Sequence, residues 1–204
     1  MIRFQCSQKR MKFVNERFLF PIIPDKTALV IVDIQQRLFQ AIDPEFHKNI
    51  RKNIPILIKS SPIAQIPIII TEQYPKGLGH SIDEITRALE DYKDVHFFEK
   101  ITFDAWQEKS FVQYFSKHSF EHIIITGIET HICVYQTCRS FIRNGYSVHV
   151  PIDAVASRSV INWDVGVQKM LSAGAGYSSV ETILFDLLQT AKDDTFKAIS
   201  TLVR

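Results

Sequence analysis

Short runs of β-branched and aliphatic residues alternate with helix-like stretches along most of this chain, and that alternation constrains the fold more than any other feature. Residues 28–34 read ALVIVDI, 66–72 IPIIITE, 95–100 VHFFEK, 122–128 HIIITGI and 146–154 YSVHVPIDA. Most of these runs are apolar on both faces, the pattern of a strand covered on both sides. Pro67 is admissible only at the start of its strand. The Asn144–Gly145 pair marks a stop before the fifth run, and a last short strand is expected near 176–179. Between the runs lie segments of helical spacing. Residues 45–60 place Phe46, Ile50, Ile54, Leu57 and Ile58 on one stripe, with Pro55 expected to bend or split the helix. Residues 104–118, 131–143, 162–172 and 193–203 complete the set, with Asp104, Thr130, Asn162 and Asp193 as expected N-caps.

Strands alternating with helices imply parallel pairing through crossover connections. No Pro/Gly/Ser-rich linker or internal repeat interrupts the pattern. The expected fold is therefore a single doubly wound, Rossmann-like α/β domain over residues 21–204, with a six-stranded, mostly parallel sheet flanked by helices on both faces. Residues 1–20 carry Arg3, Lys9, Arg10, Lys12 and Arg17 against Glu16 alone. They read as a basic, poorly ordered extension, either a loose leader or an organelle-targeting segment, without the apolar core of a secretory signal.

Composition narrows the function classes. A net charge of +2 in 204 residues gives no basic surface for nucleic acid. No apolar run approaches the ~18 residues of a membrane span. Three cysteines, at 6, 133 and 138, make no disulfide framework and point to a reducing, cytoplasmic setting. The expected partner is a small-molecule substrate, with neither nucleic acid nor membrane, and the aromatic content is compatible with a homo-oligomer.

In a doubly wound sheet, functional groups gather beyond the carboxyl ends of the strands. Those ends carry Asp33, Glu72, Lys100, residues 127–133 and Asp153. Behind Thr130, Cys133 falls in the first helical turn, where unpaired N–H groups favour a thiolate; taken alone it reads more readily as a small core residue. A carboxylate at 33 can take the thiol proton or cap a helix, and an ammonium at 100 can orient the acid or stay in water. One acid, one cation and one thiol at three strand ends is a stronger statement than any of them alone.

Three segments carry a resemblance: ALVIVDIQQRLFQAI, FEKITFDAW and ITGIETHICVYQT, in that order and spacing. With them the chain resembles the isochorismatase-like cysteine hydrolases, related to nicotinamidases and N-carbamoylsarcosine amidohydrolases, over about residues 24–190. TEQYPKGLG at 71–79 is most similar to the isochorismatase-domain-containing subgroup. The resemblance implies a catalytic triad of Asp33, Lys100 and Cys133. It also implies a non-proline cis peptide between Ile128 and Glu129, and an oxyanion hole from the backbone N–H groups of Glu129 and Cys133. The implied chemistry is attack of the Cys133 thiolate on a carboxamide carbon, with Asp33 as acid and base, Lys100 as orienting cation and a thioester intermediate.

The chain departs from the metal-binding nicotinamidases: their Asp-x-His pair is Asp33-Ile34-Gln35 here, and glutamine is a poor zinc ligand. No metal and no cofactor are expected. Gln35 reads as a hydrogen-bonding residue near the nucleophile or as the first residue of a helix. Gln73 and Tyr74 read as pocket lining or as surface turn. Phe39, Trp106 and Trp163 are either pocket walls or core and interface. Cys138 reads as core, and Arg158 and Ser159 face substrate or a neighbouring subunit. Two other classes compete: a catalytically silent interaction module, and a receiver- or flavodoxin-like binding domain. VDIQQ lacks the clustered acids of a receiver and the glycine-rich phosphate loop of a flavodoxin-like site.

Overall fold

The computed structural model describes residues 18–192 and 194–203. Its strands are β1 (Thr27–Val32), β2 (Ile68–Gln73), β3 (Val95–Lys100), β4 (His122–Ile128), β5 (Ser147–Pro151), β6 (Val155–Ala156) and β7 (Gly176–Ser178). Its helices are α1 (Gln36–Ala41), α2 (Pro44–Ala64), α3 (Pro75–Leu78), α4 (Asp83–Leu89), α5 (Lys109–Ser116), α6 (Tyr135–Arg143), α7 (Val160–Ala173), α8 (Val180–Leu188) and α9 (Asp194–Leu202). Six strands form one path, β3-β2-β1-β4-β5-β7, and the two-residue β6 adds a seventh beside β4. Each of these strand pairs is parallel. The expected basic extension falls, apart from residues 18–20, outside the described residues, as does Asp193.

Side chains alternate along β1 and divide the core into two layers. Leu29 and Ile31 face Ile50, Ile54, Leu57 and Ile58 of α2, with α4, α8 and α9 on the same side. Ala28, Val30 and Val32 face Phe111 and Phe115 of α5, Phe141 of α6, and Val167 and Met170 of α7. A side chain buried as completely as Ile31 contributes about 2 kcal/mol. The need to cover both faces is what makes the strands read as unbroken apolar runs.

Several local expectations are corrected. Helix α2 is not split at Pro55: it continues through Pro55 and Pro62 to Ala64. Asp104 caps a 3-10 turn at Ala105–Gln107 through Trp106 N–H at 3.0 Å, and α5 begins only at Lys109. Ser159, not Asn162, caps α7: its hydroxyl accepts from Asn162 N–H at 3.3 Å. The fifth run ends as strand at Pro151 and turns through a short 3-10 segment, Ile152–Ala154, into β6. The sequence pattern predicts no helix over α3, α4 or α8, and anticipates α1 only in that Gln35 reads as a possible first residue of a helix; α1, α3 and α4 span at most seven residues, too short to show a helical period.

Strand order reverses direction at the β1–β4 boundary, which makes the carboxyl end of these two strands the topological switch point. The two strands approach closely there. Gly127 has φ +124, and a Cβ on it would lie 2.1 Å from Val32 O. Only glycine meets both the conformation and the contact.

Candidate active site

Strand register assembles the site. Gln73 lies directly opposite Lys100 at the end of the β2–β3 pair, and Thr71 lies opposite Val32, one residue before Asp33. Asp33 leaves β1 in the left-handed region at φ 51, a conformation aspartate tolerates better than branched residues do. Its N–H donates to Thr71 O at 3.1 Å. Both side-chain oxygens are held. Lys100 Nζ donates to Oδ2 at 2.6 Å and Thr71 Oγ1 donates to Oδ1 at 2.7 Å. The side chains of Asp33 and Lys100 are 0% exposed. A buried pair of this kind needs further hydrogen bonds to offset its desolvation. Lys100 has them, donating also to Gln73 Oε1 at 2.7 Å and Thr102 O at 3.3 Å.

Cys133 comes from the other side of the switch point. After β4, the Ile128–Glu129 peptide is cis, and Thr130–Val134 form a single π-helical turn that feeds α6. Such turns recur at functional sites. The turn brings the Cys133 thiol up to Asp33 and Lys100, close enough for both to act on it electrostatically. The three residues from three strand ends therefore meet, as the strand-end rule anticipates.

Two parts of the local expectation fail. Thr130 is not an N-cap: its hydroxyl is buried without a partner. The thiol is not acidified either. Burial first, and the Asp33 charge second, push it up to about 12, against the opposing pull of Lys100. Helix N–H groups lower a thiol pKa where water can reach it; here desolvation of the thiolate dominates. The resting group is the neutral thiol, and its proton has one buried carboxylate to go to.

The cis turn is tied down from outside. Arg158 donates from Nη2 to Glu129 Oε1 at 2.6 Å and from Nε to Oε2 at 2.9 Å, and its own N–H reaches Oε2 at 3.0 Å. Burial works against the Glu129 carboxylate, but these bonds hold it below its ordinary pKa. His131 Nδ1 lies 3.1 Å from Ser157 Oγ, a second tie between the turn and the segment after β6. Gly166 of α7 packs on the same turn, where a Cβ would lie 2.7 Å from His131 N.

The remaining candidates separate. Gln35 is fully buried and committed to protein: Oε1 accepts from Gln73 N–H at 2.7 Å, and Nε2 donates to Gln73 O at 3.0 Å and Gly79 O at 2.6 Å. Gln73 spends its amide on Lys100 and on Ile101 O. Phe39 sits in the opposite core layer from Cys133, stacked on His47 with ring centroids 4.6 Å apart; the pocket it lines, with Arg51, Asp83 and Arg87, is on that side of the sheet and does not include the thiol. Tyr74 is 51% exposed, at φ 39, and with Pro75, Ile101 and Glu108 it lines a cavity of about 260 Å³ beside the Lys100 backbone. Trp106 belongs to an aromatic cluster with Phe115 and Phe141, Trp163 packs on Phe46, and Cys138 is core. Glu72, another strand-end acid, accepts from Ser81 N–H at 2.7 Å and pairs with His80 at 2.8 Å. Asp153 accepts from Val180 N–H at 2.9 Å. Among the described residues no group of three or more His, Cys, Asp or Glu side chains converges on a possible metal position. Sequence reasoning missed Thr71 and the Glu129–Arg158 pair; a threonine ending the run Ile68 to Ile70 is the one local signal for the first.

A family model described as an isochorismatase domain matches residues 27–182. Isochorismatase family protein 1B of Dictyostelium discoideum is 32% identical over 189 residues, covering 92% of this chain and 91% of its own. The solved structure of the MAR1 ribonuclease from Caenorhabditis elegans has a TM-score of 0.83 and 31% identity, over 90% of this chain and 92% of that one. The YcaC protein of Escherichia coli, an octameric hydrolase of unknown specificity, shares the fold with a TM-score of 0.79 and 23% identity, over 89% and 88%. These likenesses establish that the chain belongs to the isochorismatase family.

Proposed function

We propose that this protein is a cysteine-dependent hydrolase that cleaves a C–N bond in a small carboxamide or related compound through a thioester on Cys133. One observation carries the reading: a buried carboxylate, Asp33, held between Lys100 and the thiol of Cys133. A thiol pushed up to about 12 is inert unless a base takes its proton as it attacks. Asp33 is that base. Sulfur bonds to the carbonyl carbon, and the proton passes to Asp33. The carbonyl oxygen becomes an oxyanion, received by the N–H groups of Glu129 and Cys133 at the opening turn. The intermediate collapses, the C–N bond breaks, and Asp33 protonates the departing nitrogen. Water then attacks the thioester, giving a proton to Asp33; the C–S bond breaks and the proton returns to Cys133. Lys100 holds Asp33 in place and balances its charge.

A catalytically silent interaction module is the alternative, and the complete contact among Asp33, Lys100 and Cys133 speaks against it. The name of the C. elegans neighbour makes RNA cleavage a second activity to assay. It has less support here, because Lys100 is spent on internal acceptors. We also read residues 21–204 as the hydrolase domain and the assembly as a homo-oligomer, as for the octameric E. coli protein. Exposed Phe97, Ile101 and Phe103 at the β3 edge are consistent with this. The test is a panel of small amides, carbamoyl compounds, nitriles and RNA, with intact-mass detection of a Cys133 adduct. Turnover of an amide that survives Cys133→Ala at the parent rate refutes the mechanism.

A further inference from the structure

Every side-chain polar atom of the two glutamines near the triad is already hydrogen-bonded to protein, and the way they are engaged is specific. The Gln73 amide has one admissible orientation: lysine only donates and the Ile101 carbonyl only accepts, so Oε1 faces Lys100 and Nε2 faces Ile101. Lys100 Nζ thus meets three acceptors, Asp33 Oδ2, Gln73 Oε1 and Thr102 O, which match three N–H bonds. Gln73 in turn is gripped by its backbone. Gln35 accepts from Gln73 N–H and donates to Gln73 O, reproducing with one amide side chain the two bonds of a neighbouring strand. β1 itself has ended at Val32, so the Gln35 side chain continues the pairing on that side of β2.

We propose that Gln73, clamped by Gln35, is a positioning residue that aims Lys100 at Asp33, so that both glutamines serve the triad rather than the substrate. The proposal rests on the hydrolase reading above. An amide suits this task because it accepts from the ammonium without adding charge. A carboxylate at 73 draws Lys100 away from Asp33 and puts a second negative charge beside the thiol. An apolar side chain leaves a buried N–H of Lys100 without an acceptor, which costs about tenfold or more in a step that depends on it.

The test is alkylation of Cys133 by iodoacetamide across pH, in the full-length protein, read site by site by mass spectrometry. Sulfur displaces iodide and its proton passes to Asp33. In the parent, internal proton transfer gives a rate nearly flat around neutral pH, with an acid limb below it where the base can no longer accept the thiol proton. In Asp33→Asn the flat stretch is replaced by a rise of about tenfold per pH unit, as free thiolate forms. Gln73→Met is expected to lower the flat rate about tenfold and to move the acid limb to higher pH. Gln73→Glu, close in shape to the parent, and Gln35→Leu should move the limb in the same direction. Cys138, fully buried, stays unlabelled in any folded variant and serves as the folding control. A Gln73→Glu or Gln73→Met profile superimposable on the parent, or one lowered with its acid limb unmoved, overturns the positioning role and leaves the hydrolase reading intact. An Asp33→Asn profile like the parent's overturns both.

Discussion

Replacing Lys100 with methionine tests the physical core of the site. The Lys100–Asp33 pair is 2.6 Å long with both side chains 0% exposed. That places it among buried ion pairs, where removing one partner strands a charge in low dielectric at a cost of about 3–5 kcal/mol. Methionine preserves most of the volume, so little of the loss comes from a cavity. In a chain of this length each kcal/mol moves the melting midpoint by about 2–4 °C, so the expected fall is roughly 6–20 °C. Lys26→Met is the control. Its partner Glu121 is as close, but the side chains are 42% and 53% exposed, and the midpoint should hardly move. The double variant Asp33→Asn/Lys100→Met removes both charges together and is expected to recover most of the loss while staying inactive. Urea unfolding at neutral pH of these three variants and of Asp33→Asn alone gives the energies. A Lys100→Met loss below about 1 kcal/mol, or losses that simply add in the double variant, refutes the claim that charge pairing holds this site together.

Acid should destabilise the fold through the buried imidazoles of His122 and His149, whose Nδ1 and Nε2 lie 3.2 Å apart. Burial, and secondarily the charge of His122, lowers His149 to about 4, against 6.5 for an unperturbed histidine. Above pH 6.5 both folded and unfolded forms are neutral and stability is complete. As pH falls from there towards 4, the unfolded chain binds a proton that the folded chain refuses, and about 3 kcal/mol is lost. Urea midpoints at a series of pH values should therefore fall less steeply for His149→Gln than for the parent; equal slopes refute the assignment. Gly127→Ala should cost at least about 3 kcal/mol, because both its φ of +124 and the 2.1 Å approach to Val32 O forbid a Cβ. A calorimetric midpoint within a few degrees of the parent's contradicts that geometry.

Much of the architecture is local information. Val95 to Lys100 and His122 to Ile128 are strands over the same residues read from their apolar and β-branched runs. The crossover pattern leads from there to parallel pairing and to functional residues at strand ends. Asp33, Lys100 and Cys133 were legible for that reason, with the resemblance adding their roles. Short elements such as α4 and β6 were not, because a seven-residue helix makes fewer than two turns and a two-residue strand shows no alternation.

What the sequence determined by itself is therefore the alternation, the family resemblance and the identities of the acid, the cation and the thiol. Tertiary structure decided how they act. Asp33 and Lys100 are 67 residues apart, and only the order β3-β2-β1-β4 brings them to 2.6 Å. Local sequence placed Cys133 at a helix start and implied a thiolate. Burial against Asp33 makes it a thiol instead, since desolvation depends on everything packed around the sulfur. Gln35 and Gln73 read as candidate substrate ligands until the register between β2 and β3 showed their amides spent on Lys100 and on the strand end. Hydrogen-bond partners across a sheet are set by register, a non-local quantity that no window of residues contains.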